Sequence, residues 1–567
     1  MPKLTRHHAH WPEGVPHTLD LPEYSLYRHL EASAERAPAR IAIDYYGRPI
    51  SYGGLHRAVL NLAGYLQQCL GVRCGDRVLL LMQNCPQFII AYYAILRANA
   101  VVVAINPMST VDETAYYLGD CGARVAIVTQ DMLAKVRPRL DDGSLTGCIV
   151  GAYSDMTYPE GNPDFLQIPD FVAEAGQPPL SDREHEFGNA VAAALAPSPI
   201  VVTGSDLAVI AYTSGTTGKP KGAMLSHRAL ALATAQRSLW LDDKAPSSDL
   251  LVLPMCHIAG MSGMNQAIFQ GRSIVLLARW DAGAVPALIE RFRVGRLGGV
   301  APMLIELLAR PEFARHDLSS LKRLYVGATP TPVSIAKELE ARLGRVPIEC
   351  YGMTETCGST HINPPMDARC GCAGIPQIDV DARIIDPENL TELDCNESGE
   401  IVINCPTQFI GYWNKPEATR EAFVEIDGKP FVRTGDIGHH DEDGYFHITD
   451  RLKRMINASG LKIWPSEVEA CLVAHPLVQE ACVLAAYDEY RGETAKALIV
   501  PVPDAEGTIS AEIIIEWART HLAAYKVPRL IEFVGSLPRT LSGKVLWRAL
   551  QNEQNENDRE RRDAARQ

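Results

Sequence analysis

Between about residues 200 and 405, short apolar runs alternate with segments of helical periodicity. "LAVIAY" reads as a strand and "AMLSHRALALATAQRSLW" as a helix. "LLVLP" and "SIVLLA" read as strands, "AGAVPALIERFRV" as a helix, "RLYVGA" as a strand, "SIAKELEARLG" as a helix and "GEIVIN" as a strand. A parallel strand pair needs a crossover long enough to hold a helix, so the alternation predicts an α/β fold of mostly parallel sheet covered by helices. "SYGGLHRAVLNLAGYLQQCLG" (helix) and "RVAIV" (strand) repeat the theme earlier, and residues 183–205, rich in Ala, Pro and Ser, read as a surface connection.

Past residue 450 the texture changes. Apolar strands around "VLAAY" and "ALIVPV" flank a charged turn, with helices on either side, which predicts a small α+β unit of about a hundred residues. A chain of 567 residues suggests two to four folding units. The expected organisation is a large domain over 1–450, a small one over 451–550, and a charged tail over 551–567. That tail has no aliphatic residue larger than Ala, so it is expected to fray or be disordered.

The net charge of −14 argues against wrapping nucleic acid. In the most apolar region the longest clean run is nine residues, Phe88 to Leu96, too short to span a bilayer. It reads as a buried helix followed by a strand. "MPKLTRHHAHWPEGVP" has no apolar signal-peptide core, so a cytoplasmic location is expected. The 14 cysteines include no CxxC pair, only a CxC at Cys370 and Cys372, and read as scattered thiols of a reducing compartment. "HHAH" at 7–10 reads as a mobile terminal segment rather than a metal chelate.

One stretch does not read as core. "YTSGTTGKPKG", residues 212–222, holds three glycines, four hydroxyl residues, two lysines and a proline, and reads as following a strand and preceding a helix. Glycines let backbone N–H groups turn toward an anion, hydroxyls add donors, and Lys219 and Lys221 add charge. This is phosphate-binding chemistry. It is not a Walker A loop, because Gly215 and Gly218 are only three apart and Pro220 follows Lys219.

These eleven residues resemble the signature loop of the adenylate-forming superfamily, which holds acyl-CoA synthetases, peptide-synthetase adenylation domains and luciferases. Further motifs follow in the family's order: "LPMCHIAG" (253–260), "YGMTET" (351–356), "RTGDIG" (433–438), "DRLKRMINASGLKIWPSEVE" (450–469) and "PRTLSGKVLWRAL" (538–550). "GYWNKPEAT" and "ASGLKIWPSEVE" are most similar to bacterial fatty acyl-CoA synthetases, the long-chain-fatty-acid–CoA ligases. The resemblance implies ATP, Mg²⁺ and coenzyme A, and two half-reactions. A carboxylate attacks the α-phosphate to give acyl-AMP and pyrophosphate, and coenzyme A then takes the acyl group. In the first step anion meets anion: unit charges about 4 Å apart repel by roughly 4 kcal/mol at an effective dielectric near 20. The site must aim cations and donors where charge develops.

Residue by residue, the resemblance implies that Thr213, Ser214, Gly215, Thr216, Thr217, Gly218 and Lys221 cradle the β- and γ-phosphates. Glu355 would be the Mg²⁺ ligand, with Thr216 assisting, and Thr354 would donate to the α-phosphate. Gly327, Ala328, Thr329, Tyr351 and Gly352 would wall the adenine, with Thr329 standing where many relatives carry a smaller residue. Asp436 would accept from the ribose hydroxyls, with Arg451 as its partner. Lys544 would bridge the attacking carboxylate and the α-phosphate. Lys453 falls at the family's hinge, about which the small domain is expected to swing and present Ser459, Gly460 and Lys462 to coenzyme A. His257 would sit near the acid's carboxylate, and Met261, Met264, Val300, Ala301 and Gly358 would line the acyl tunnel.

The expected function is a CoA ligase for a medium- or long-chain fatty acid. A ligase for an aromatic or steroid-type acid stays open, as do an acyl-AMP ligase loading a separate carrier protein and a luciferase-like oxidoreductase. A scaffold that has lost its chemistry should lack Glu355 or Lys544, and both are present. The expected partners are small molecules, with no nucleic acid. Peripheral membrane contact and a homodimer stay open. The chain ends in "AARQ", not in a peroxisomal SKL signal.

Overall fold

The computed structural model describes residues 5–158, 168–176, 181–213, 219–241, 248–327, 331–458, 461–505, 508–539 and 545–566. Contacts divide the chain into two compact units, Met1–Asp381 with Ile403–Val432, and Ala382–Val402 with Arg433–Gln567. Residues 382–402 and 433–450 therefore group with the C-terminal part rather than with the large unit.

The first unit is α/β, as the alternation predicts, and its described residues form two large sheets. One runs in the order Ile375–Pro376, Gly358–Ile362, Ile348–Met353, Arg323–Val326, Val294–Gly299, Ser248–Leu251, Ser273–Leu276, Ile41–Tyr45, Arg48–Ser51. Its inner strands pair in parallel and its outer ones antiparallel. The other runs Gly411–Tyr412, Lys221–Ser226, Leu207–Thr213, Val101–Ala104, Arg77–Leu81, Val125–Thr129, Gly147–Gly151, Glu184–Glu186. The apolar run predicted as a buried helix is the helix Pro86–Arg97, which buries every residue from Pro86 to Leu96. A helix surrounded on all sides has no polar face to show, which is why its sequence looks membrane-like. Among the described residues no helix is long and apolar enough to cross a membrane.

Three local expectations are corrected. "AMLS" is not helical: Lys221–Ser226 is a strand antiparallel to Leu207–Thr213, and the helix His227–Trp240 begins where Ser226 Oγ accepts from Ala229 N at 3.1 Å. Ala, Met and Leu favour helix locally, and strand pairing overrides that weak preference. The glycine-rich loop therefore lies between two paired strands, with Thr213 opposite Lys221. Residues 183–205 are not all connection, since Glu184–Glu186 adds a sheet strand and the helix Phe187–Ala192 buries Phe187 and Ala190. "HHAH" is not loose. It forms a 3₁₀ turn with His7 buried, and Trp11 packs tilted against His17 at 4.4 Å and edge-to-face against Trp240 at 4.6 Å between ring centroids. Aromatic packing of this kind ties down a terminus that looks polar.

The second unit holds the predicted hairpin. Val478–Asp488 and Gly492–Pro501 pair antiparallel from Val478↔Pro501 to Asp488↔Gly492, beside Ile456–Ala458, Leu461–Ile463 and Leu530–Phe533. The tail expected to fray or be disordered belongs to a helix, Trp547–Arg566. Gln551 Oε1 accepts from Ala485 N at 2.9 Å, Asp558 Oδ2 accepts from Tyr487 N at 2.8 Å, and Gln554 Oε1 accepts from Lys496 Nζ at 2.6 Å. Residues three and seven apart share a helix face. Polar groups on that face satisfy the open edge of Val478–Asp488, so a count of aliphatic residues misses the anchor.

Three buried histidines make the large unit acid-sensitive. Burial pulls His29 and His227 down to about 4, and burial with the nearby His7 pulls His361 to about 3. In the unfolded chain each returns to about 6.5. The folded state thus excludes protons that the unfolded state binds. The contribution is complete above about pH 6.5 and is lost as pH falls toward 4, about 2 kcal/mol per group by pH 5. The urea midpoint should drop between about pH 7.5 and pH 5, and drop less in His227→Gln. An unchanged midpoint would show that these imidazoles are not held neutral.

Candidate active site

The strand Ile348–Met353 ends in a 3₁₀ turn, Thr354–Thr356, and the chain returns antiparallel as Gly358–Ile362. The reversal is tight. Cys357 has φ 57°, and a Cβ on Gly352 would lie 2.0 Å from Gly358 O, so only glycine fits there. Thr356 Oγ1 accepts from Met353 N at 3.3 Å and donates to Gly358 O at 2.9 Å, clamping the turn.

The turn holds Glu355 in a buried position. Its carboxylate accepts from Tyr412 OH at 2.6 Å and its carbonyl accepts from Phe409 N at 2.7 Å. Tyr412 pairs with Ala223 on the strand Lys221–Ser226, and Lys221 Nζ lies 5.1 Å from the Tyr412 ring centroid. Burial first, then the Glu355 carboxylate, pushes the Tyr412 phenol far above its ordinary value, so it stays a donor. Lys219 Nζ lies 5.4 Å from the Tyr116 ring, and Tyr116 OH donates to Pro220 O at 2.9 Å. Thr213 Oγ1 donates to Lys221 O at 3.4 Å. Ser214, Gly215, Thr216, Thr217 and Gly218 lie outside the described residues. Glu355, Tyr412 and Lys221 thus come together beside the strand ends that flank them. The sequence reading missed Tyr412, although "GYWNKPEAT" was its only signal.

This donor set fits Mg²⁺ of the substrate-assisted kind. Such an ion takes one or two carboxylates and draws its other ligands from phosphate and water. Among the described residues no group of three His, Cys, Asp or Glu side chains forms a complete cage, and Glu355 stands as a single carboxylate.

Tyr351 is half-buried with its ring 5.6 Å from that of His361, and Gly352 is exposed beside it. Gly327 follows the strand Arg323–Val326 and Thr354 opens the turn, both half-buried. These positions lie at the carboxyl ends of parallel strands, the usual ligand crevice of an open α/β sheet. Ala328 and Thr329 lie outside the described residues.

The tunnel candidates separate. His257 caps the helix Ile258–Gln270, its Nδ1 accepting from Ala259 N at 3.3 Å, and is exposed. Met261 and Met264 are fully buried in the main core, and Val300 and Ala301 are buried at the start of the helix Ala301–Ala309. Gly358 has φ 110° and packs on Ser262. Accessible surface belongs instead to Ser262 and Gly263 of the same helix, and to Gly298 on an inner strand. Cys256 and Cys350 also keep partial exposure, yet burial pushes their thiols up to about 12 and about 11. These half-buried, uncharged positions are the accessible ones near the tunnel candidates. The small residues of "MSGMN" and "LGGV" were the overlooked signal.

In the second unit Asp436 is buried and pairs with Arg451 Nε at 2.8 Å across the strands Lys429–His440 and Phe446–Arg451. The preceding residues are fixed by Glu400 of "GEIVIN". Its Oε2 accepts from Arg433 Nε at 3.0 Å and its Oε1 from Gly435 N at 3.1 Å, while Thr434 Oγ1 donates to Ile401 O at 2.7 Å. Glu400 is a second residue that motif reading missed. Lys453 is exposed in a 3₁₀ turn, and Lys462 makes a surface ion pair with Glu388 at 2.7 Å. Ser459, Gly460 and Lys544 lie outside the described residues.

Residues 30–413 match the model of the AMP-binding enzyme family, and residues 467–544 match that of the AMP-binding enzyme C-terminal domain. The chain belongs to the AMP-binding enzyme family. It is 35% identical to the long-chain-fatty-acid–CoA ligase of Bacillus subtilis (strain 168), over 97% of this chain and 98% of the relative. It is 34% identical to a feruloyl-CoA synthase of Amycolatopsis sp., over 90% and 96%. ATP-bound MatB from Rhodopseudomonas palustris superposes with a TM-score of 0.81 at 28% identity, covering 93% of this chain and 98% of that one. The enzyme is an AMP-forming acyl-CoA synthetase that uses ATP, Mg²⁺ and coenzyme A. Removing the Tyr412 hydroxyl strips the Glu355 carboxylate of a charge-assisted donor, and such bonds contribute about 1.5–3 kcal/mol. Tyr412→Phe should raise the half-saturating Mg²⁺–ATP concentration by about tenfold or more with an unchanged circular dichroism spectrum. Wild-type Mg²⁺ dependence in that variant would separate Tyr412 from the metal site.

Proposed function

We propose that this synthetase activates a medium- or long-chain fatty acid to acyl-AMP and passes the acyl group to coenzyme A. The observation that carries this reading is the set of half-buried, uncharged residues Cys256, Gly263, Gly298 and Cys350, which offer an acyl chain accessible surface without an acidic side chain among them. Similarity to the Bacillus long-chain-fatty-acid–CoA ligase supports it. The feruloyl-CoA synthase, almost as similar, favours a ring-bearing acid as the second reading.

In this reading Thr213 and Lys221, with Ser214, Gly215, Thr216, Thr217 and Gly218, hold the β- and γ-phosphates. Glu355, steadied by Tyr412 and assisted by Thr216, holds Mg²⁺, which when bound neutralises phosphate charge. Thr354 donates to the α-phosphate. Gly327, Ala328, Thr329, Tyr351 and Gly352 form the adenine wall. The acid's carboxylate lies by His257, and Gly358 with Ser262 borders the acyl path. Asp436 accepts from the ribose hydroxyls and Arg451 orients its carboxylate. Lys544 supplies the cation between the attacking carboxylate and the α-phosphate. The small domain, 451–550, turns about Lys453 between half-reactions and brings Ser459, Gly460 and Lys462 to coenzyme A.

Lys544→Ala should lower adenylation by roughly 10²- to 10³-fold while sparing thioester formation from supplied acyl-AMP. Equal loss of both half-reactions would refute the bridging role. Coenzyme A-dependent AMP release, measured over acetate, C8, C12 and C16 acids and an aromatic acid, should peak among the longer linear acids. A peak on the aromatic acid would replace the fatty-acid reading with the ring-bearing one.

A further inference from the structure

The helix Val111–Cys121 is fixed at both ends. At its start Thr110 and Glu113 form a capping box, Glu113 N donating to Thr110 Oγ1 at 3.2 Å and Thr110 N to Glu113 Oε2 at 2.8 Å. Gly122 ends it with φ 66°. The last carbonyls of a helix have no partner within it. Here Arg77 Nε donates to Cys121 O at 2.8 Å and Trp413 Nε1 donates to Asp120 O at 3.0 Å. Arg77 Cζ also lies 5.4 Å from the Trp413 ring centroid, so one cation closes the helix end and covers that ring.

Side chains of this helix reach both strands that flank the glycine-rich loop. Residues four apart lie on one helix face, and Tyr116 and Asp120 are such a pair. Asp120 Oδ2 accepts from Tyr212 OH at 2.6 Å, and Tyr212 is the residue before Thr213. Tyr116 OH donates to Pro220 O at 2.9 Å, and Pro220 is the residue before Lys221. Tyr117 packs its ring 4.6 Å from that of Tyr212. Asp120 Oδ1 pairs with Lys415 Nζ at 3.6 Å, and the aspartate side chain is only 9% exposed. Trp413, held by the Asp120 carbonyl, follows Tyr412, and its own N donates to Gly222 O at 2.8 Å.

A carboxylate only accepts, and a hydrogen bond to an ionised acceptor is roughly twice as strong as a neutral one. Burial first, then the Asp120 carboxylate, pushes the Tyr212 phenol far above its ordinary value, so it stays a donor. No motif marks Asp120, yet its contacts fall on the neighbours of Thr213 and Tyr412, and its helix partner Tyr116 takes the neighbour of Lys221.

Resting on the phosphate-loop reading above, we infer that Asp120 is a positioning residue for the triphosphate. It acts through Tyr212 and, with Tyr116 and Trp413, fixes the strand ends that carry Thr213 and Lys221 and the tyrosine that steadies Glu355. Acyl-AMP keeps only the α-phosphate. Loss of this support is therefore felt where β- and γ-phosphates bind, and not in the thioester step.

The test uses the purified full-length protein and three measurements. These are the KM for Mg²⁺–ATP in AMP release, the KM for pyrophosphate in ATP formation from supplied acyl-AMP, and the KM for coenzyme A in thioester formation from the same acyl-AMP. The acyl group is that of the best acid in the panel above. Asp120→Leu should raise the KM for ATP and for pyrophosphate together by about 10- to 100-fold, the range for hydrogen bonds to a charged group, and leave that for coenzyme A in place. General unfolding would not produce that split. Asp120→Asn, which keeps an acceptor, should recover most of the loss. Tyr212→Phe should raise the same two constants, and adding it to Asp120→Leu should cost little more, because both remove one bond. Unchanged constants in Asp120→Leu and Tyr212→Phe, or an equal rise for coenzyme A, would reduce Asp120 to a packing residue. Lys221→Met keeps the two failures apart. If it raises the phosphate constants while Asp120→Leu does not, the inference fails and the phosphate-loop reading stands. If Lys221→Met leaves them at wild type, that reading fails and takes the inference with it.

Discussion

The hydroxyl of Tyr412 lies 2.6 Å from the Glu355 carboxylate, and this one contact ties together three stretches that are far apart in the chain. Tyr412 is held by its pairing with Ala223, at the start of the strand that leaves the glycine-rich loop. Glu355 is held by the turn that Gly352 and Thr356 close. Lys221 stands over the same tyrosine ring. Burial first, then the Glu355 carboxylate, keeps the Tyr412 phenol protonated far above neutral pH, so it serves Glu355 as a donor.

The same economy of backbone appears in the second unit. Asp436 lies in the strand Lys429–His440, and Glu400 fixes the residues before it by taking Arg433 and Gly435 at once. Gly435 has φ 66°, a conformation open to glycine and strained for a side chain. Aspartate, arginine and glycine in "RTGD" are thus one unit with a glutamate more than thirty residues upstream. None of the four would have its present geometry alone.

What could be read in the sequence divides along a physical line. Features built from short-range periodicity were legible: the parallel sheets, the buried helix at Pro86–Arg97 and the hairpin from Val478 to Pro501. The family resemblance also pointed to Glu355 and to the Asp436–Arg451 pair, which the structure joins at 2.8 Å. Features that depend on a distant partner were not legible. "AMLS" is a strand because Leu207–Thr213 lies beside it, and the polar C-terminal helix is anchored because Val478–Asp488 has an open edge. Tyr412 and Glu400 sit in stretches noticed only for their likeness or their apolar run. Their function as supports exists only once the sheets are assembled. The apolar helix Ile258–Gln270 misled in the opposite sense: Met261 and Met264 fill the core, while Ser262 and Gly263 between them keep accessible surface.

That last reversal bears on how such a cavity is made. A space inside a close-packed protein is made by what is missing, so its walls are glycine, serine and cysteine rather than the large side chains that would fill it. Gly298 is a position of this kind on an inner strand: a Cβ there would meet only Leu253, at 3.7 Å, so the absence of a side chain, and not the presence of one, leaves room beside the strand.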